Sequence, residues 1–166
     1  MPSHGAELLW EAGSQEDFLA GRYSRRHRIS FDGGASIAGS SSPSVVREPY
    51  SDPTAADPEE LFVASVASCH MLWFLDFARR AGVGVRAYRD APSGVMAKNA
   101  EGRIAVTEVT LRPEVDCDAD RATLDELHHK AHEACFIANS ITSDVRVEPV
   151  LNRKGFESQG KEAHHG

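Results

Sequence analysis

The longest hydrophobic pattern in the chain begins at Leu61. From there Leu61, Phe62, Val63, Ala64, Val66, Ala67, Met71, Leu72, Trp73, Phe74, Leu75 and Phe77 place apolar side chains all round a helical period. Such a helix keeps no solvent face along its middle and is expected to run through the centre of the molecule. Its start is marked by Pro58, suited to a first helical turn, with Asp57 as a capping residue and Glu59 and Glu60 at the positive end of the dipole. Its end is marked by Arg79-Arg80-Ala81-Gly82, basic side chains followed by a glycine. Ser65, Ser68, His70 and Asp76 interrupt the run. It therefore falls short of the roughly 20 predominantly apolar residues of a membrane span and reads as a core helix.

Around this helix the pattern is shorter in period. The stretch up to about Val46 mixes apolar pairs with Gly and Ser clusters and reads as β-structure, with a strand over 23–31, a turn at Asp32-Gly33-Gly34 and a second strand behind it. Residues 48–58 carry three prolines and form a loop. After the helix a strand pair is expected over 85–96 and 104–115. In its second member Ile104 and Val106 alternate in one phase and Val109, Leu111 and Val115 in the other, which predicts a bulge or register change. Thr123-Leu124-Asp125-Glu126 has the form of a capping box opening a second helix that continues to about Ala138. A last strand covers 145–150, and the segment from Asn152 is polar. The order βββ–α–ββ–α–β is an α+β pattern, read as one domain over 1–151 with a tail over 152–166.

Composition narrows the function classes. The 166 residues suffice for one compact domain with a real core, and 41% hydrophobic with 26% charged residues is ordinary for a globular chain. The net charge of -7 is spread along the sequence, and the basic cluster over 22–28 is short and interrupted, so nucleic-acid binding is not expected. The first ten residues lack a charged segment followed by an apolar run, so no export signal is expected and the reading is cytoplasmic. Three cysteines, Cys69, Cys117 and Cys135, are too few and odd in number for a disulfide framework. A pair among them is catalytic, redox-active, metal-binding or simply buried. Cys117 lies between Asp116 and Asp118, which disfavour a thiolate, and reads as a bystander.

Two segments carry a family resemblance. Asp57-Pro58-Glu59-Glu60-Leu61-Phe62-Val63-Ala64-Ser65-Val66-Ala67-Ser68-Cys69 is similar to the central-helix signature of the osmotically inducible protein C / organic hydroperoxide resistance (OsmC/Ohr) superfamily, and His132-Glu133-Ala134-Cys135 to its second-helix segment. The resemblance spans roughly residues 8–150 and implies an intertwined homodimer. It also implies a peroxidase in which Cys69 attacks an organic hydroperoxide, Cys135 resolves the sulfenic acid as a disulfide, and an external dithiol, in some relatives a lipoylated protein, restores both thiols. The chain departs from the family in Phe136-Ile137-Ala138 after the second cysteine and in His70 after the first, which marks a divergent branch.

The chemistry needs a thiolate, and an apolar helix interior raises a thiol pKa. The resemblance implies an arginine from the N-terminal β-region, held by the glutamate that opens the helix. Glu59 fits by position, about 15 Å from Cys69 along a continuous helix, so a third group must bridge them. Arg25 is the choice, with Arg22, Arg26 and Arg28 as competitors. Glu59 has a plainer role too, since a first-turn glutamate is favourable through the helix dipole alone.

Three other readings compete. A zinc site could use Cys69, His128, His132 and Cys135, although His128 and His129 are flanked by Glu126, Lys130 and Glu133 as on a solvated face. In a Cys–His hydrolase, His70 is badly placed as a base because helix neighbours diverge by about 100°. The third is a non-catalytic member of the fold that binds a small ligand. No resident cofactor or metal is expected, and His164 and His165 carry no chemistry.

Overall fold

The computed structural model describes residues 1–150; the polar tail expected from Asn152, with His164 and His165, lies outside the described residues. The chain packs as two compact units, Met1–Phe62 and a second that begins at Val63.

The first unit holds a three-stranded antiparallel sheet in the order β1-β2-β3, with β1 Ala6–Leu9, β2 His27–Phe31 and β3 Ser36–Gly39. The expected turn joins β2 to β3, and Gly34 supplies its positive φ of 90°. Two expectations are corrected here. The strand predicted over 23–31 starts only at His27, because the Arg25 N–H is committed to the Tyr50 carbonyl and the Arg26 N–H to the Ser24 hydroxyl. A short helix, α1 Gln15–Leu19, stands where only β-structure was expected; Ser14 caps it by accepting from the Asp17 N–H.

The central helix, α2, spans Pro58–Arg80 as the pattern predicted. Asp57 and Glu60 cap it reciprocally: the Glu60 N–H donates to Asp57 Oδ1 and the Asp57 N–H to Glu60 Oε2. Gly82, at φ 72°, closes the other end, with Val83 N–H donating to the Ala78 carbonyl. The expectation of a fully enclosed helix is corrected. Its buried residues are Val66, Ala67, His70, Phe74 and Ala78, essentially one stripe at four-residue spacing, and Leu72 is 60% exposed. By length and composition α2 would pass as a membrane span, which the interrupted run had argued against. Its stripe instead packs as a core helix does: Phe74 and Ala78 join Leu127 and Ala131, with Val85, Tyr88 and Val115 against them.

The predicted strand pair is one long hairpin broken in the middle. β4 Val85–Asp90 pairs with β7 Pro113–Cys117, and β5 Ser93–Lys98 pairs with β6 Ile104–Leu111, all antiparallel. The break falls at Ala91-Pro92 and at Arg112, whose N–H donates to Asp90 Oδ1 in place of a ladder bond. The phase slip in the sequence is a bulge: Val95 faces Glu108 and Met96 faces Val106, leaving Thr107 unpaired. Beside β6 runs β8, Asp144–Val147, in parallel.

Helix α3 spans Arg121–Ala134, which corrects both predicted ends. Asp120 is the cap, accepting from the Thr123 N–H, so Thr123 lies inside the first turn. Cys135 leaves the helix with extended backbone, φ -66° and ψ 107°, and a 3-10 turn follows at Ala138–Ser140.

Within the second unit α2 approaches β5 at Gly94. A Cβ there would lie 2.7 Å from Val63 Cγ2 and 3.3 Å from Val106 Cγ1. Gly94→Ala is expected to destabilise the fold by about 1–3 kcal/mol through overpacking, read as a lower urea midpoint at unchanged slope.

Candidate active site

Two helices deliver two sulfurs to one place. Cys69 lies half-buried on α2, and Cys135 lies 1% exposed at the point where α3 ends. The early end of α3 matters. The extended Cys135 backbone lets the chain fold back so that the Ala138 N–H points at Cys135 Sγ, 3.4 Å away. The Cys69 and Cys135 thiols are within hydrogen-bonding reach of each other. Burial pushes the Cys135 thiol well above its ordinary pKa; the Ala138 amide opposes this, and the shared bond and charge of Cys69 add to it. At neutral pH Cys135 therefore keeps its proton. Cys117 sits elsewhere in this unit, at the end of β7 opposite Val85 and between two aspartates that both bind Arg86.

Three histidines accompany the sulfurs. His70, next to Cys69, is 1% exposed, and its Nε2 shares a 3.1 Å hydrogen bond with Nδ1 of His128. His128 is itself only 3% exposed, and Phe74 covers its face at 4.3 Å between centroids. The solvated face expected for the His128-His129 pair is thus half wrong: His129 is exposed and pairs with Glu133, whereas His128 is core. The signal was present, because Leu124, Leu127, His128, Ala131 and Cys135 fall at three- and four-residue spacings on one stripe. Burial, then the charges of His128 and His132, lower the His70 pKa to about 3. Burial lowers His128 to about 4, with Asp125 pulling the other way and Arg121 adding to the shift. Both rings are neutral at pH 7. Nδ1 of His70 and Nδ1 of His132 are buried without a hydrogen-bond partner. Among the described residues no three His, Cys, Asp or Glu side chains are arranged to hold a metal ion, so the zinc reading gains no support from the geometry.

In the first unit Arg25 is the half-buried member of the arginine cluster, while Arg22, Arg26 and Arg28 are exposed. Its guanidinium lies 3.7 Å over the Tyr23 ring and donates to the Tyr23 carbonyl. Tyr23 is held by Phe18 of α1 and by Trp10, whose indole N–H donates to the Ser24 carbonyl. Arg22 pairs with Asp17 and Arg26 with Asp52. Glu59 is half-buried in the first turn of α2, and among the described residues no ion pair joins it to Arg25. The expected glutamate lock on that arginine is not formed, and two aromatic rings position the guanidinium instead.

The sequence matches the family described as OsmC-like protein over residues 51–150. Among solved structures, an OsmC-like protein of unknown function from Vibrio cholerae is 42% identical, covers 90% of this chain and 100% of its own, and superposes with a TM-score of 0.86. An organic hydroperoxide resistance protein from Elizabethkingia anophelis shares the fold at 16% identity and a TM-score of 0.68, covering 93% and 98%. A Legionella pneumophila protein described as an organic hydroperoxide resistance protein and predicted redox protein does so at 18% and 0.65, covering 91% and 97%. None of the curated proteins matches the chain. With the family signature across three-fifths of its length and a relative of that similarity over nearly all of it, the chain belongs to the OsmC-like family.

Proposed function

We propose that this protein is a cysteine-based peroxidase that reduces organic hydroperoxides. One observation carries the reading: two thiols, on different helices and far apart in sequence, lie within hydrogen-bonding reach of each other, one of them held protonated. The names of the Elizabethkingia and Legionella relatives support the choice of oxidant. In the proposed cycle the Cys69 thiolate attacks the terminal oxygen of ROOH, the O–O bond breaks, and the leaving alkoxide takes up a proton to become ROH. Cys69 is then a sulfenic acid. The Cys135 sulfur attacks it, the S–O bond breaks, water leaves and a Cys69–Cys135 disulfide remains. An external dithiol, such as a lipoylated protein, reduces the disulfide and is oxidised in turn.

Arg25, its guanidinium held by Tyr23 and Tyr50, is the proposed source of positive charge for the Cys69 thiolate, while Glu59 acts at the positive end of the α2 dipole. A homodimer in a reducing cytoplasm fits the reading; the apolar surface that α2 leaves uncovered, Leu72 included, would suit a partner copy.

One equivalent of cumene hydroperoxide added to the reduced protein should remove two hydrogens from the intact mass, and peptide mapping should join Cys69 to Cys135. Cys135→Ser should still be oxidised once, leaving a sulfenic acid that dimedone traps, while turnover under dithiol falls. Absence of the Cys69–Cys135 link would remove Cys135 as the resolving thiol.

A further inference from the structure

Helix α3 does not by itself fix the position of its sulfur. The helix ends at Ala134, and Cys135 follows with extended backbone, its N–H reaching the His132 carbonyl at 3.3 Å. Local bonds shape the turn behind it. The Ala138 N–H reaches Cys135 Sγ at 3.4 Å, the Asn139 N–H the Cys135 carbonyl at 3.0 Å, and the Ser140 hydroxyl the Phe136 carbonyl at 2.6 Å. The Asn139 side-chain amide ties the turn back to the Glu133 carbonyl of α3. None of these four bonds reaches α2. What does reach it is the Phe136 ring, which meets Trp73 edge to face, with centroids 5.3 Å apart and planes at 85°.

Trp73 is a firm anchor for that ring. Cys69, Trp73, Phe77 and Arg80 follow one another at spacings of four, four and three, one stripe along α2. Phe77 stacks on Trp73 at 5.5 Å, and the Arg80 guanidinium lies 5.8 Å from the Phe77 centroid. Trp73 also packs on the core formed by Phe74, Ala78, Leu127 and Ala131. The indole therefore stands fixed one turn beyond Cys69, and the ring seated on it belongs to the residue bonded to Cys135. Phe136 is 66% exposed, so burial of its own surface explains little of its placement. Its contact joins the two cysteine-bearing segments.

We propose that Phe136, seated on Trp73, is the positioning residue that presents Cys135 to Cys69 in the resolving step. The inference rests on the peroxidase reading and deepens it. In that step Cys69–SOH and Cys135–SH give the disulfide and water: the S–O bond breaks, the S–S bond forms, and the Cys135 proton leaves with the hydroxyl. A covalent bond brings two sulfurs closer than a hydrogen bond between them does, so one segment must shift. Cys69 lies within α2, whose backbone is bonded turn to turn, whereas Cys135 lies outside α3. The turn over 135–140 is therefore the part that shifts, and the Phe136 ring on the indole keeps it against α2 as it does so. Neither ring takes part in the bond changes.

The test separates the two chemical steps. Reduced full-length protein is mixed with one equivalent of tert-butyl hydroperoxide, quenched in acid at timed intervals and weighed intact. Gain of one oxygen follows the first oxidation, and its conversion to a loss of two hydrogens follows resolution. In Phe136→Ala the resolution rate constant should fall at least about threefold, in the range set by one lost aromatic contact, while the first oxidation keeps its rate. Phe136→Tyr, which retains the ring, should resolve at the wild-type rate. Trp73→Leu reads the contact from the other side, and combining it with Phe136→Ala should slow resolution no further than either change alone. Resolution unchanged in Phe136→Ala, a parallel fall in both steps, or an equal fall in Phe136→Tyr overturns the positioning role. A wild-type protein that forms no Cys69–Cys135 disulfide instead overturns the peroxidase reading, and the positioning role with it.

Discussion

Cys69→Ser is expected to lower hydroperoxide consumption at least about 10³-fold, because a serine hydroxyl cannot supply the polarisable anion that displaces an alkoxide from oxygen. The substitution is nearly isosteric. Cys69 is half-buried and has the Cys135 thiol as a neighbour, so the new hydroxyl keeps a hydrogen-bonding partner. Stability should change little against such a loss of rate. Consumption of cumene or tert-butyl hydroperoxide under excess dithiol, with far-UV circular dichroism to verify the fold, measures the effect. Turnover surviving in the serine variant would take Cys69 out of the mechanism.

Acid is expected to weaken the fold steeply between pH 6.5 and 4. The unfolded chain protonates its histidines near 6.5, whereas burial holds His70 to about 3 and His128 to about 4 in the native state. Between those values the unfolded state binds more protons than the native one, so stability is complete above about pH 6.5 and falls as pH falls. Two pH units below the unfolded pKa, each ring costs about 2.5 kcal/mol, or about 5 kcal/mol for the pair at pH 4.5. That is comparable with the whole stability of many domains. Asp125 tempers the effect at His128, and Arg121 and His132 strengthen it at His128 and His70 respectively. Urea titrations at pH 7 and 4.5 measure it, with His128→Phe reducing the pH dependence by removing one titrating ring. Equal midpoints at both pH values would mean that the pair is already charged or open to water in the native state.

The burial that keeps both rings neutral also makes any imidazolium that accumulates destructive to the packing of α2 on α3.

Much of the fold was readable along the chain. The Asp57–Glu60 cap, the limits of α2, the turn at Gly34 and the phase slip around Thr107 all rest on near neighbours, whose interactions depend on local sequence alone. Where the reading failed, a distant group had intervened. The Tyr50 carbonyl claims the amide that would have carried β2 back to residue 23, and Asp90 claims the Arg112 amide that would have carried β6 into β7. The enclosed helix was inferred from composition, but enclosure depends on what packs against each side. Leu72 and Phe74 are equally apolar in sequence, yet one is 60% exposed and the other fully buried.

The candidate site divides in the same way. Sequence alone singled out Cys69 and Cys135, because their flanking segments carry the family resemblance, and it set both on or beside helices through periodicity and caps. The resemblance implied that they pair, but periodicity and caps could not show it, since the distance between two helices is fixed by side chains meeting across them: Phe74 and Ala78 against Leu127 and Ala131. That packing also turned His128 from an expected surface residue into a core one and laid its ring in line with His70. Local order follows from interactions over three or four residues, which a sequence displays. Proximity between residues 58 positions apart follows from the burial of apolar surface, which only the assembled core decides.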